Sequence, residues 1–150
     1  MSTHYPAKPM LDDEALRVAE AAPGRRVSYG KDERARLAKM VTRLFDHWQL
    51  DTATQAELLG LSAGSRTALS RYRRGTPLPD SRDLMDRVGH LFGIHKSLRL
   101  LYPDNPELAY DWPQRRNASL DRYTPLEIML EQGLPGLVAI RGYLDHLRGL

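Results

Sequence analysis

The residues best suited to chemistry in this chain are polar side chains on one short arginine-rich stretch. Residues Thr54 to Gly75 read TQAELLGLSAGSRTALSRYRRG, and in it Arg66, Thr67, Ser70, Arg71 and Arg74 fall outside the face that Leu69 and Tyr72 would bury. An arginine can fork onto O6 and N7 of a guanine, and a threonine offers a base edge either its hydroxyl or its methyl group. Ser65 stands just before them, and Gln55, near the start of the stretch, is placed to bond a phosphate or reach a base. Charge agrees with a polyanionic partner here, because residues 52–100 carry eight basic side chains against four acidic ones, whereas residues 101–150 carry five against seven. A solvated helix face would use the same residue types, so pattern alone leaves both uses open.

Other chemistries find less support. The five histidines, His4, His47, His90, His95 and His146, are scattered, with no i, i+4 pair enclosing a carboxylate as a helical zinc site would need. His90 and His95 read as surface or boundary residues. There is no cysteine, so neither a disulfide framework nor a thiolate metal site can form. No glycine-rich phosphate loop, nucleophile elbow or H-x-E zinc motif occurs. The expectation is a binding protein rather than an enzyme, without metal or cofactor. No apolar run approaches the length of a membrane span, and MSTHYPAKPMLDDEAL lacks the basic-then-apolar order of a signal peptide, so a cytoplasmic, non-membrane protein is expected.

The elements that must position these residues are helical throughout. Residues 1–30 hold one possible short helix, Leu11 to Ala22, and a loop with Arg25 and Arg26; this segment is expected to be flexible. Leu37, Met40, Val41, Leu44, Phe45 and Trp48 then recur as the apolar stripe of an amphipathic helix. Thr52 or Thr54 is expected to cap the next helix, with Glu57 completing a capping box. The break GLSAG turns the chain, and Ser65 caps the second helix, which ends at Gly75. After TPLPDSRD, Asp80 or Ser81 caps a helix whose stripe is Leu84, Met85, Val88, Leu91 and Phe92. Gly93 is expected to stop it, leaving IHKSLRLLYP as a separate short helix. In the last third, TPLE predicts a helix capped by Thr124 with Pro125 at its first position, and Gly133 ends it. Leu137, Ile140, Leu144 and Leu147 line one stripe of a final helix, which leaves Val138 and Tyr143 off that stripe and available to a partner. No alternating strand pattern appears, so the fold class is all-α.

Two sets of motifs resemble a known family. Thr54-Gln55, Leu69-Ser70 and Gly75 resemble the helix-turn-helix of the Xre/Cro-type repressors. In that register Arg66, Thr67 and Arg71 correspond to positions that meet base edges, with Gln55 and Arg74 nearer the backbone; the two-glycine turn GLSAG departs from the commonest form. The order Asp111-Trp112, Arg116-Asn117, Pro125-Leu126-Glu127, Gly133, Tyr143-Leu144-Asp145 and Arg148-Gly149 resembles the toxin-binding domain of the MbcA/ParS/Xre antitoxins, and LFGIHKSLRLLYP is similar to the helices joining the two halves in that family. The likeness covers roughly residues 40–150.

The resemblance implies an antitoxin of a type II pair whose partner is a RES-domain toxin that breaks down NAD⁺, with residues 31–100 forming a DNA-binding and dimerisation domain and residues 101–150 a toxin-binding domain. It places Tyr143, Asp145, Arg148 and Gly149 toward the toxin, with Pro125, Leu126 and Gly133 shaping the domain. Val138, Leu147 and Leu150 complete the expected contact set. A homodimer on operator DNA is the expected form, because a recognition helix normally acts in pairs on two half-sites. The alternative is a stand-alone Xre-type regulator whose C-terminal domain dimerises or senses something else.

Overall fold

The computed structural model describes residues 28–62 and 65–150. The expected helix at Leu11 to Ala22, Arg25 and Arg26, and the Ala63-Gly64 part of the turn lie outside the described residues. Among the described residues seven α-helices follow one another: α1 (Lys31–His47), α2 (Thr52–Leu58), α3 (Arg66–Arg73), α4 (Arg82–Leu101), α5 (Pro106–Asp111), α6 (Pro125–Gln132) and α7 (Leu134–Leu147). Two single 3₁₀ turns, Trp112–Gln114 and Ala118–Leu120, connect α5 to α6. There is no strand among the described residues, and the fold is all-α.

Four of these helices, α2, α4, α5 and α6, begin where a side-chain acceptor meets a free N–H group. Asp51, not Thr52 or Thr54, caps α2: its carboxylate accepts from Thr54 N–H at 2.8 Å. A carboxylate one residue earlier is the better acceptor and also meets the positive end of the helix dipole, so the threonines become the first turn instead of the cap. Ser81 caps α4 by accepting from Leu84 N–H at 3.3 Å, and Thr124 caps α6 by accepting from Glu127 N–H at 3.0 Å. Ser65 holds the cap position of α3, but its hydroxyl donates to the Ser62 carbonyl and makes no cap bond.

The stop expected at Gly93 does not occur. α4 runs unbroken for 20 residues, with Gly93 buried at its centre. A Cβ at Gly93 would lie 2.5 Å from the Arg141 guanidinium, so this glycine marks a close approach between helices and not a helix end. Packing along the whole length offsets the propensity cost of glycine, about 1 kcal/mol.

α4 and α7 run side by side in the same direction, Gly89 and Gly93 meeting Arg141 and Ser97 meeting Asp145 and Arg148. α7 also packs on α6 across Gly136, where a Cβ would meet the Ile128 carbonyl at 2.6 Å. Gly133 alone makes the corner between them; its φ of +66° and ψ of −138° fall in a region that essentially only glycine enters. At the other end α1 packs on α3, and α2 touches both α3 and α6. A single buried cluster joins these parts, from Leu37, Val41, Leu44 and Phe45 of α1 through Leu91, Phe92 and Leu98 of α4 to Leu137, Ile140 and Leu144 of α7.

His95 belongs to this interior. It is 0% exposed, so the boundary position expected for it is corrected. Its ring stacks on Tyr110 at 5.2 Å between centroids, and Tyr110 stacks in turn on His47 at 4.6 Å, tying α4, α5 and α1 together. Burial, reinforced by Arg99 and His47, pushes the His95 imidazole down to about 3, so it is held neutral.

Candidate nucleic-acid and partner interfaces

α3 is short and keeps only one face for the core. Leu69 and Tyr72 are buried against the scaffold, while Arg66, Thr67, Ser70, Arg71 and Arg74 are exposed together on its outer side; Ser65, ahead of them, is half-buried. That is the arrangement a helix needs to enter a major groove with its polar side chains forward. Gln55 does not join this surface. It is 5% exposed, and its amide donates to the Leu50 carbonyl at 2.8 Å. The side chain that sequence placed toward a phosphate is spent on the turn before α2, because Leu50, itself buried, leaves a carbonyl that needs a donor.

Sequence reading passed over basic residues on α1. Arg36, Lys39 and Arg43 are exposed at i, i+3 and i+7, and the Lys39 stem lies against Gly75, where a Cβ would meet Lys39 Cε at 2.7 Å. Further along, Asp46 pairs with Arg73. The polar side of α1 therefore runs beside the end of α3 and extends its positive surface. The spacing in sequence was a usable signal, but it reads first as the solvated side of an amphipathic helix.

The C-terminal residues are arranged differently. Pro125 is buried at the first position of α6, and Leu126 is half-buried behind it. Arg116 and Asn117 close the loop ahead of α6. Arg116 donates to the Arg122 carbonyl at 3.2 Å and lies 3.9 Å from Glu127, and the Asn117 side chain accepts from Ser119 N–H at 2.9 Å. Tyr143 is half-buried with its ring stacked on Trp112 at 6.2 Å, so only its rim faces outward. Val138 is 49% exposed, as its place off the stripe implied, and Leu150 is 77% exposed beyond Gly149.

Leu147 departs from its expected stripe and is 45% exposed. The helical period of 3.6 residues returns positions 137, 141, 144 and 148 to one face, so the seam with α4 receives Arg148 while Leu147 swings outward. Arg148 is folded onto that seam with its side chain 23% exposed. Its Nη1 donates to Ser97 Oγ at 3.2 Å and lies 3.8 Å from Asp145 Oδ1, and the Ser97 hydroxyl donates to the same carboxylate oxygen at 3.4 Å. Two turns before Arg148, Arg141 Nη1 donates to the Gly89 carbonyl and meets His90 Nδ1, both at 3.4 Å. Burial holds the Arg141 guanidinium below the usual arginine range, with Asp145 opposing and Arg148 adding to that shift. Asp145 thus stands between two cations.

Among the described residues no group of three or more histidine, aspartate or glutamate side chains is placed to hold a metal ion, and no helix is long and apolar enough to cross a membrane.

Comparison with known proteins matches both regions. Residues 29–93 match the antitoxin Xre-like helix-turn-helix domain, and residues 97–149 match the antitoxin Xre/MbcA/ParS C-terminal toxin-binding domain. The two matches meet inside α4. The chain is also 36% identical over 107 residues to the uncharacterized protein y4oB of Sinorhizobium fredii (strain NBRC 101917 / NGR234), covering 71% of this chain and 80% of that protein. With an outward-facing α3 in the first region and the Arg148 seam in the second, the chain belongs to the Xre/MbcA/ParS family of antitoxins.

Proposed function

We propose that this protein neutralises a RES-domain toxin that breaks down NAD⁺, by covering its active site with the end of α7, and that α3 binds operator DNA to repress its own operon. The observation that carries the reading is Arg148: a guanidinium at the end of the toxin-binding domain, beside exposed Leu147 and Leu150. A pocket shaped for an anionic dinucleotide attracts such a group, which can fork onto a carboxylate or take a phosphate position. Val138, the rim of Tyr143, Asp145 and Gly149 complete the contact surface, with Pro125, Leu126 and Gly133 setting its shape. On DNA, Arg66, Thr67 and Arg71 face base edges, while Ser65, Ser70, Arg74 and the α1 cations lie toward the backbone. A homodimer would bring two copies of α3 onto half-sites about one helical turn apart. The chain acts by binding and not by catalysis, and both partners place it in the cytoplasm.

The test is co-purification with the product of the adjacent reading frame, followed by an assay of NAD⁺ loss with and without this chain. A stable complex in which NAD⁺ loss stops supports the reading. No complex, or one that leaves NAD⁺ loss untouched, overturns it and leaves a DNA-binding regulator as the better account of the exposed α3.

A further inference from the structure

We infer that Ser97, on α4, is a positioning residue for toxin binding: its hydroxyl accepts from Arg148 and donates to Asp145, fixing the Arg148 guanidinium before a partner arrives. The inference rests on the reading above, in which Arg148 meets the toxin. Ser97 is 0% exposed, so water does not serve its hydroxyl and the side chains of Asp145 and Arg148 must. A hydroxyl has one donor and two acceptor sites, which suits it to sit between a cation that only donates and a carboxylate that only accepts. The distances follow that order, 3.2 Å from Arg148 Nη1 and 3.4 Å to Asp145 Oδ1.

The reason to hold an arginine this way is entropic. A free arginine side chain samples many rotamers and loses that freedom on binding, whereas one ordered beforehand loses little more. Only Nη1 is engaged by Ser97, and the fork has five N–H donors, so the remaining ones suit a carboxylate or phosphate placed outside the seam. Asp145 alone would leave the guanidinium loosely tethered, because its direct approach to Nη1 is 3.8 Å. The serine closes that gap from the neighbouring helix and ties the contact end of α7 to α4. Removing its hydroxyl changes neither net charge nor any exposed surface, so an effect on toxin affinity at an unchanged unfolding midpoint arises through the groups it holds.

The test combines a double-mutant cycle with a direct view of the arginine. Binding of the adjacent-frame toxin is measured for the full chain, Ser97→Ala, Arg148→Ala and the double variant, with unfolding midpoints recorded for all four. Arginine side-chain NMR of the isolated chain follows the Arg148 N–H groups. The expected result is hindered Arg148 rotation in the parent chain and averaged signals in Ser97→Ala. Toxin affinity should fall about tenfold in Ser97→Ala, on the scale of one hydrogen bond to a charged group, with no further loss when Ser97→Ala is added to Arg148→Ala. Unchanged Arg148 signals in Ser97→Ala, or equal losses in both backgrounds, overturn the positioning role while leaving the toxin contact standing. If Arg148→Ala binds the toxin as the parent does, the reading beneath it fails and the inference falls with it.

Discussion

The guanidinium groups on the outer side of α3 stand out from the molecule, whereas those of Arg141 in α7 and Arg148 at its C-terminal cap lie down along α4. Arg66, Arg71 and Arg74 are exposed on a helix whose buried side is little more than Leu69 and Tyr72. Arg141 and Arg148 instead occupy places made by Gly93 and Ser97, with Asp145 between them. Cations that reach into solvent can adjust to the edges and phosphates of a duplex, where affinity comes largely from charge. Cations laid in place have given up that freedom and suit one partner of fixed shape.

Because one buried cluster runs from α1 through α4 to α7, the largest effect should come from a residue at its centre. Leu91→Ala, at a fully buried position of α4, should cost about 2–5 kcal/mol. Chemical denaturation should show one transition shifted to lower denaturant, and separate transitions for the two regions would break the idea of a shared scaffold. Next in size, Arg66→Ala with Arg71→Ala should lose about 1–3 kcal/mol of DNA affinity for each base contact removed, by titration of operator DNA at fixed salt. Toxin binding should be unchanged, which sharpens the contrast between the two helices.

Acid should weaken the junction that both regions share. His95 is held neutral in the folded chain, down to about 3, and takes up a proton near 6.5 once unfolded. Its neutral burial therefore contributes stability fully above pH 6.5, and that contribution is lost as pH falls from 6.5 toward 3, by up to about 1.4 kcal/mol per unit. Denaturation midpoints across that range should fall more steeply for the parent chain than for His95→Phe. Smaller still, Thr124→Ala removes the α6 cap bond at 3.0 Å and should cost about 1 kcal/mol, read as a lower unfolding midpoint with DNA affinity preserved.

Much of this was legible in the sequence, for reasons that particular residues make plain. The stripe from Leu37 to Trp48 is a local period and survives as a buried face, and Thr124-Pro125 is a local start signal that caps α6 as read. The exposed row on α3 follows from where Leu69 and Tyr72 must go. What was illegible depends on another helix. Gly93 looks like a stop until Arg141, 48 residues later, is seen lying against it. Gln55 reads as a DNA contact until the Leu50 carbonyl claims its amide. Ser97 carries no signal at all, because its role exists only where α4 meets Asp145 and Arg148. A deletion from Tyr143 onward, natural from the motif, would also remove Leu144, which is 0% exposed, so a point change at Arg148 separates contact from folding more cleanly.

The most direct test of the account measures NAD⁺ consumption by the partner toxin at rising ratios of this chain, comparing the parent, Arg148→Ala, and Arg66→Ala with Arg71→Ala. The parent and the α3 variant should stop NAD⁺ loss along the same curve, while Arg148→Ala should need a higher concentration to do so. Loss of inhibition in the α3 variant with full inhibition by Arg148→Ala would contradict this division between the two helices, because the toxin would then be held by the outer side of α3.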